Sequence, residues 1–357
     1  MTKQAIGTQP ELTRGRGLYS RLAKRRLSMI VGIGLLTLVF FMIDLSIGPA
    51  HYRVRELLSV LTLGAAPASS QVSVILWDIR LPVALSALVV GASLSIAGLQ
   101  MQTVLGNPLA SPFTLGLSAA ASFGAAIGLI LGVSVLPASA VAYAIPVNAF
   151  LVSMAAALFI HRLSRKRGIT TEMIILLGTT LVFTFSALLE ALQYIGPDQA
   201  LSAVVFWAMG SLSRATWPKL GVMSVILVVV SFTFARQSWA LTALQLGEAR
   251  ATALGIPVAR LRLRGILLSS LLASICVSFV GTIGFVGLVG PHIARMLVGE
   301  DQRFLLPASA LCGACMLSAA SVLSKSLVAG QTLPIGIVTS LVGVPLFFAL
   351  ILRAKTR

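Results

Sequence analysis

The chain has 357 residues, 57% of them hydrophobic and only 10% charged, and its mean hydropathy of +0.98 lies outside the range of water-soluble globular domains. Apolar runs long enough to cross a hydrocarbon core as helices recur along almost the whole length, without the alternation of a β-barrel. The net charge of +17 comes from short basic clusters between those runs rather than from one soluble face, which excludes a nucleic-acid surface and points to the lipid bilayer as solvent.

Residues 1–26 form a basic tail with Arg14, Arg16, Arg21, Lys24, Arg25 and Arg26. The apolar run after it, 27–47, is too long for the core of a cleaved signal and lacks a clear small-residue cleavage site before Gly48, so it reads as a retained first span. Nine more spans follow at 81–104, 114–134, 138–160, 172–195, 219–235, 264–281, 282–298, 305–326 and 334–352. Residues 27–352 thus make one transmembrane domain, with 353–357 as a short tail. The boundary between the seventh and eighth spans falls in "GTIGFVGLVG", where only the glycines hint at a break.

With the N-terminus inside, all but six of the 27 Lys and Arg fall on the cytoplasmic side, the six being Arg53, Arg55, Arg80, Arg214, Lys219 and Lys325. That bias places both termini in the cytoplasm. Spans two to five and seven to ten then form two four-helix blocks entering the membrane from opposite sides, an inverted repeat of the kind common in transporters. The expected fold is an all-α integral membrane protein of about ten transmembrane helices, two inverted four-helix blocks plus two further helices.

Acidic residues within the spans are few: Asp44 near the outer end of the first and Glu190 near the outer end of the fifth. A proton- or sodium-driven carrier needs a titratable group or carbonyl cage near the midplane, and none is evident. Glu190, with Gln193 on roughly the same helical face, either lines a pathway or is a hydrogen-bonded structural carboxylate. No G-x-x-x-x-G-K-[ST] occurs, so nucleotide is not bound through a P-loop. His51, His161 and His292 are too scattered for a metal site, and Cys276, Cys312 and Cys315 fall in apolar runs, where "CGAC" reads as small packing residues. No nucleophile, base and orienting group cluster as in an enzyme. "GASLSIAG" places Gly91, Ser95 and Gly98 where helices can approach closely.

The stretch 246–264, "LGEARATALGIPVARLRLR", is polar and basic between two spans. "GEARATAL" suits a short helix, Gly255 a C-cap and Pro257 a stop, after which "VARLRLR" resumes. Either the element docks something, or Arg260, Arg262 and Arg264 anchor the seventh span at the headgroups. In "NPLASP", Pro108 and Pro112 forbid regular helix, which leaves an irregular constriction or an ordinary turn.

Four segments combine into a larger pattern: "WDIRLP" leading into "GASLSIAGLQMQTVLGNPLASP"; "FWAMGSLSRATW"; the stretch 246–264; and "GTIGFVGLVGPHIARMLVG" followed by "LPIGIVTSLVGVPLFF". The pattern closely resembles the permease subunits of type II ABC importers, which carry ferric siderophores, haem and vitamin B12. The resemblance implies ten helices per subunit, a homodimer or paralogous heterodimer, a pathway along the subunit interface, two cytoplasmic ATPase subunits that bind ATP and Mg, and a periplasmic substrate-binding protein. No cofactor or metal is implied on this chain.

The resemblance also assigns roles. The loop 236–264 becomes a coupling element, with Glu248, Arg250, Ala253, Leu254 and Gly255 as ATPase contacts. "NPLASP" supplies a cytoplasmic gate at Asn107 and Leu109, with Thr170 and Thr171 as a second. The family's outer "R-L-P-R" element leaves Arg80 as a docking residue for the binding protein, its second arginine being Val83 here. An Asp and Arg four residues apart in the ninth span become Ser321 and Lys325, which keeps the charge but not the bidentate geometry. Interfacial snorkelling is the alternative role of Arg80 and Lys325, and Arg295 in "GPHIAR" meets either the ATPase or phospholipid. The expected activity is import of an iron–siderophore complex across a bacterial inner membrane; haem or cobalamin is the alternative cargo, and a stand-alone secondary carrier the alternative class.

Overall fold

A chain immersed in hydrocarbon must pair its own backbone polar groups, and among the described residues every regular element is helical. The computed structural model describes residues 9–48, 71–166, 168–328 and 330–354; Lys3, His51, Arg53, Arg55, Arg167, Lys355 and Arg357 lie outside them.

Helix α1 (Gln9–Ser46) is followed by a short α2 (Gln71–Val74), which runs through a π-helical turn (Ile75–Arg80) into α3 (Leu81–Val104). Next come α4 (Leu117–Leu131), α5 (Ala144–Leu163), α6 (Thr171–Ile195), α7 (Asp198–Ala208) and α8 (Trp217–Arg236). The short helices α9 (Ser238–Leu244) and α10 (Glu248–Ala253) precede α11 (Val258–Val280), α12 (Val286–Val298), α13 (Gln302–Ser326) and α14 (Ile335–Ala354). A helix stands at each of the ten expected spans, although among the described residues seven helices are both long and apolar enough to cross a membrane unaided; α4, α12 and α14 are shorter apolar helices.

Three local readings shift. The basic tail is helical from Gln9 and continuous with the first span. A separate helix, α7, stands before "GSLSRATW", where no span was expected. The break between the seventh and eighth spans occupies 281–285, and there Phe285 holds a positive φ of 66°, the only non-glycine among the described residues to do so.

Helix α3 is the axis of the bundle, buried along most of its length and packed on α1, α8, α11, α12 and α13. Its small residues make that possible. A methyl group on Gly91 would overlap the carbonyl of Gly313, one on Gly98 that of Gly287, and Ser95 donates to the carbonyl of Ser309 at 2.6 Å. Gly313 belongs to "CGAC", which is therefore a packing motif at this contact.

The inverted repeat is visible in which helices touch. Exchanging α3 with α11, α4 with α12, α5 with α13 and α6 with α14 maps the packed pairs α3–α13 and α4–α5 onto α11–α5 and α12–α13, and α3–α12 onto α11–α4. A buried serine pair recurs at the related interfaces, Ser95 with Ser309 at 2.9 Å and Ser153 with Ser274 at 2.7 Å. Helices α4 and α12 both start from a left-handed residue, Gly116 and Phe285.

Candidate functional site

Arg162, Arg236, Arg262, Arg295 and Arg303 stand at or near one set of helix ends, joined by Arg26 from within α1 through Asp301; this is the basic end of the bundle. There α10 forms a knuckle whose shape follows from its sequence. Gly247 and Gly255 bracket it with φ of 101° and 79°, a region open chiefly to glycine. At its C-terminus the Gly255 N–H donates to the Thr252 carbonyl at 2.9 Å and the Ile256 N–H to that of Ala251 at 3.1 Å, a Schellman motif that closes the helix on Gly255. Ala251, Ile256 and Val258 are buried in the main core and fix one side. The other side, with Glu248, Arg250, Ala253, Leu254 and Gly255, is exposed.

The knuckle is tied to the axis helix through a residue that sequence reasoning treated only as an anchor. Arg262, in the first turns of α11, pairs with Glu248 and donates from Nε to the Val104 carbonyl at 3.1 Å, at the last turn of α3. One side chain thus bridges α10 and the end of α3.

Residues 105–116 leave that end as a chain of turns. Gly106 takes a φ of 56°, Asn107 Oδ1 accepts the Leu109 N–H at 2.8 Å, and Ser111 and Thr114 exchange side-chain and backbone hydrogen bonds. Leu109 is half exposed. Gly116 and Leu115 lie against α6 so closely that a Cβ on Gly178 would sit 2.8 Å from Leu115 Cα. A cavity of about 580 Å³ opens beside this loop and is lined by Asn107, Glu248, His292, Arg295 and Glu300 among others, so one gate candidate and one coupling candidate share a site. Thr170 and Thr171 stand apart from it at the start of α6, where Thr170 Oγ1 caps the helix by accepting the Met173 N–H at 3.4 Å.

Sequence reasoning missed the polar lock behind this cavity. Gln302 Nε2 donates to Thr103 Oγ1 at 3.0 Å, Gln100 Nε2 donates to Gln302 Oε1 at 3.1 Å, and the Gln302 N–H reaches Thr242 Oγ1 at 3.0 Å. Gln100, Thr103 and Gln302 are buried, so α3 and α13 are joined by bonds shielded from water, while the link to α9 runs through the half-buried Thr242. Arg295 reaches Gln102 at 3.3 Å and Glu300 at 3.1 Å. Burial would raise the Asp301 carboxyl, but its hydrogen bonds with Arg303 and the Arg26 charge outweigh this and hold it below the usual carboxylate range.

At the opposite end the two docking candidates face inward. Arg80 is 5% exposed and donates from one guanidinium nitrogen to the carbonyls of Leu45 and Ser46 at 2.9 and 3.1 Å, capping α1. Lys325 contacts the Asp44 carboxylate at 2.8 Å and its carbonyl at 3.1 Å. Trp77 and Trp217 meet nearby with their rings tilted at 34°, the Trp217 indole N–H on the Trp77 carbonyl at 2.9 Å. Ser321 is buried beside Lys325 in a small cavity of about 30 Å³. Glu190 is exposed on α6 and Gln193 half-buried one turn on.

Residues 36–353 match the model of the FecCD transport family. The chain belongs to that family. It is 38% identical over 318 residues to the hemin transport system permease protein HmuU of Yersinia pestis, covering 89% of this chain and 95% of that one. It is 34% identical over 334 residues to the molybdate import system permease protein MolB of Haemophilus influenzae, covering 92% and 96%. Among solved structures it superposes on an inward-facing metal-chelate type ABC transporter with a TM-score of 0.79 and 33% identity, covering 91% and 99%. The FecCD chain described here is thus an ABC importer permease, a multi-span transport subunit in which the α3–α13 and α5–α11 interfaces form the frame.

Proposed function

We propose that this FecCD permease carries a ferric siderophore complex across a bacterial inner membrane, with its basic end in the cytoplasm. It works with a second permease copy or paralogue, two ATPase subunits that bind ATP and Mg, and a periplasmic binding protein. The observation that carries the reading is α10: an outward-facing, rigidly capped knuckle whose Glu248 pairs with Arg262 and, through it, meets the end of α3. Docked in an ATPase groove at Glu248, Arg250, Ala253, Leu254 and Gly255, it transmits closure of the motor to α3. The loop of Asn107 and Leu109 then opens, with Thr170 and Thr171 at the neighbouring helix start, and Glu190 and Gln193 border the route. On the other side, the binding protein docks at the face built by Arg80 and Lys325, which keep their bonds to α1.

Likeness to a metal-chelate type transporter supports a metal chelate as cargo, the class to which a ferric siderophore belongs, while likeness to the hemin permease supports haem as the second reading. In proteoliposomes holding the permease, its ATPase and the binding protein, radio-iron supplied as ferric siderophore should accumulate only with ATP. Uptake of haem or cobalamin in its place would replace the cargo. Uptake by the permease alone, driven by an ion gradient, would overturn the class.

A further inference from the structure

A groove of about 470 Å³ runs between α8 and α13 at the basic end, separate from the cavity at Asn107. Its floor is Ile96 of α3 and its walls include Phe232 of α8 and Leu306 and Ala310 of α13, whereas its mouth carries Ser238 and Arg303. From Arg303 to Ala310 the helical rise gives a slot about 10 Å long, roughly two-thirds of one leaflet's hydrocarbon depth. Above Phe232 sits the Arg236 guanidinium, 5.8 Å from the ring centroid. Asp301 is shared by Arg303 and Arg26, so the mouth keeps a net positive charge. Trp239, 65% exposed beside Ser238, marks the headgroup level.

We propose that this groove is a binding site for one anionic phospholipid, an acyl chain lying between α8 and α13 and the phosphate held at Arg236 and Arg303. The chemistry selects a lipid because an apolar slot directed along the helices ends in cations at the depth where phosphates lie. The rest of the outward face of α8, Val222, Val225, Val228 and Val229, is a smooth apolar surface suited to acyl chains. The site goes beyond transport of any particular cargo and does not rest on it.

Native mass spectrometry of the purified full chain tests this, with phosphatidylglycerol, phosphatidylcholine bearing the same acyl chains, and glycerol phosphate as probes. One phosphatidylglycerol should remain bound where phosphatidylcholine is lost, and glycerol phosphate should not be retained. Arg236→Gln, at an exposed side chain, should weaken phosphatidylglycerol binding roughly fivefold, the worth of one cation near an anionic headgroup. Ala310→Phe should abolish the adduct by filling the slot, while Val228→Phe should leave it. Equal retention of both phospholipids, indifference to Arg236→Gln, or retention of glycerol phosphate alone would overturn the proposal. So would a two-chain particle that Ala310→Phe dissociates, because the groove would then hold a second copy.

Discussion

Asp44 is fully enclosed, and its charge is balanced by Lys325, a residue 281 positions away at the far end of α13. Such a pair adds little over an apolar replacement of both residues, but losing one member strands the other without solvent. Lys325→Ala should therefore destabilise the chain by about 3–5 kcal/mol, read as a lowered unfolding midpoint in detergent. Combining Lys325→Met with Asp44→Leu should recover most of that loss. If Lys325→Ala left the midpoint unmoved, the pair would not be holding α1 to α13. In the sequence, Arg80 and Lys325 read as exposed cations because a basic residue near a span end usually reaches for water. Nothing local reveals that carbonyls and a carboxylate of the first span already receive them.

Among the helices, the legible parts were those whose signal is local. The Gly255 and Pro257 punctuation placed the end of α10, and the small residues of "GASLSIAG" marked the face on which α3 meets α12 and α13. The 281–285 break was harder because Thr282 is the one polar side chain in it, so hydropathy carries little boundary and the positive-φ turns at Gly281 and Phe285 make one. The lock of Gln100, Gln302 and Thr103 was invisible for another reason. Its members are uncharged, lie about two hundred residues apart across α3 and α13, and gain meaning only when those helices run antiparallel. The exposed face of α10 yields a prediction of its own. Leu254→Asp should leave the unfolding midpoint unchanged yet cut affinity for the ATPase by about tenfold or more, as loss of an apolar anchor at an interface does, in a pull-down titrated with the motor subunit. Undiminished affinity would remove α10 from the coupling interface.

For the molecule as a whole, α6 is conspicuous because little of it is buried: Leu176, Phe183 and Leu188 are exposed along its length. An apolar face of that length borders either lipid or another chain. The proposed dimer places it at the subunit boundary beside Glu190 and Gln193. Light scattering of the detergent-purified permease should give two chains per particle, and Phe183→Cys should trap them as a disulfide-linked pair. A strictly single-chain particle in the presence of its ATPase would exclude that arrangement. The same scale shows what the pairing of α3 with α11 and α5 with α13 entails. A frame built from two antiparallel copies of one unit is similar from above and below in its backbone, and the backbone arrangement alone sets no direction of flow. The two sides are told apart by the pieces that fall outside the copying: the long first helix, α8 with its short successor, and the knuckle at Glu248. Vectorial movement of cargo is thus set largely by these attachments and not by the repeated frame they decorate.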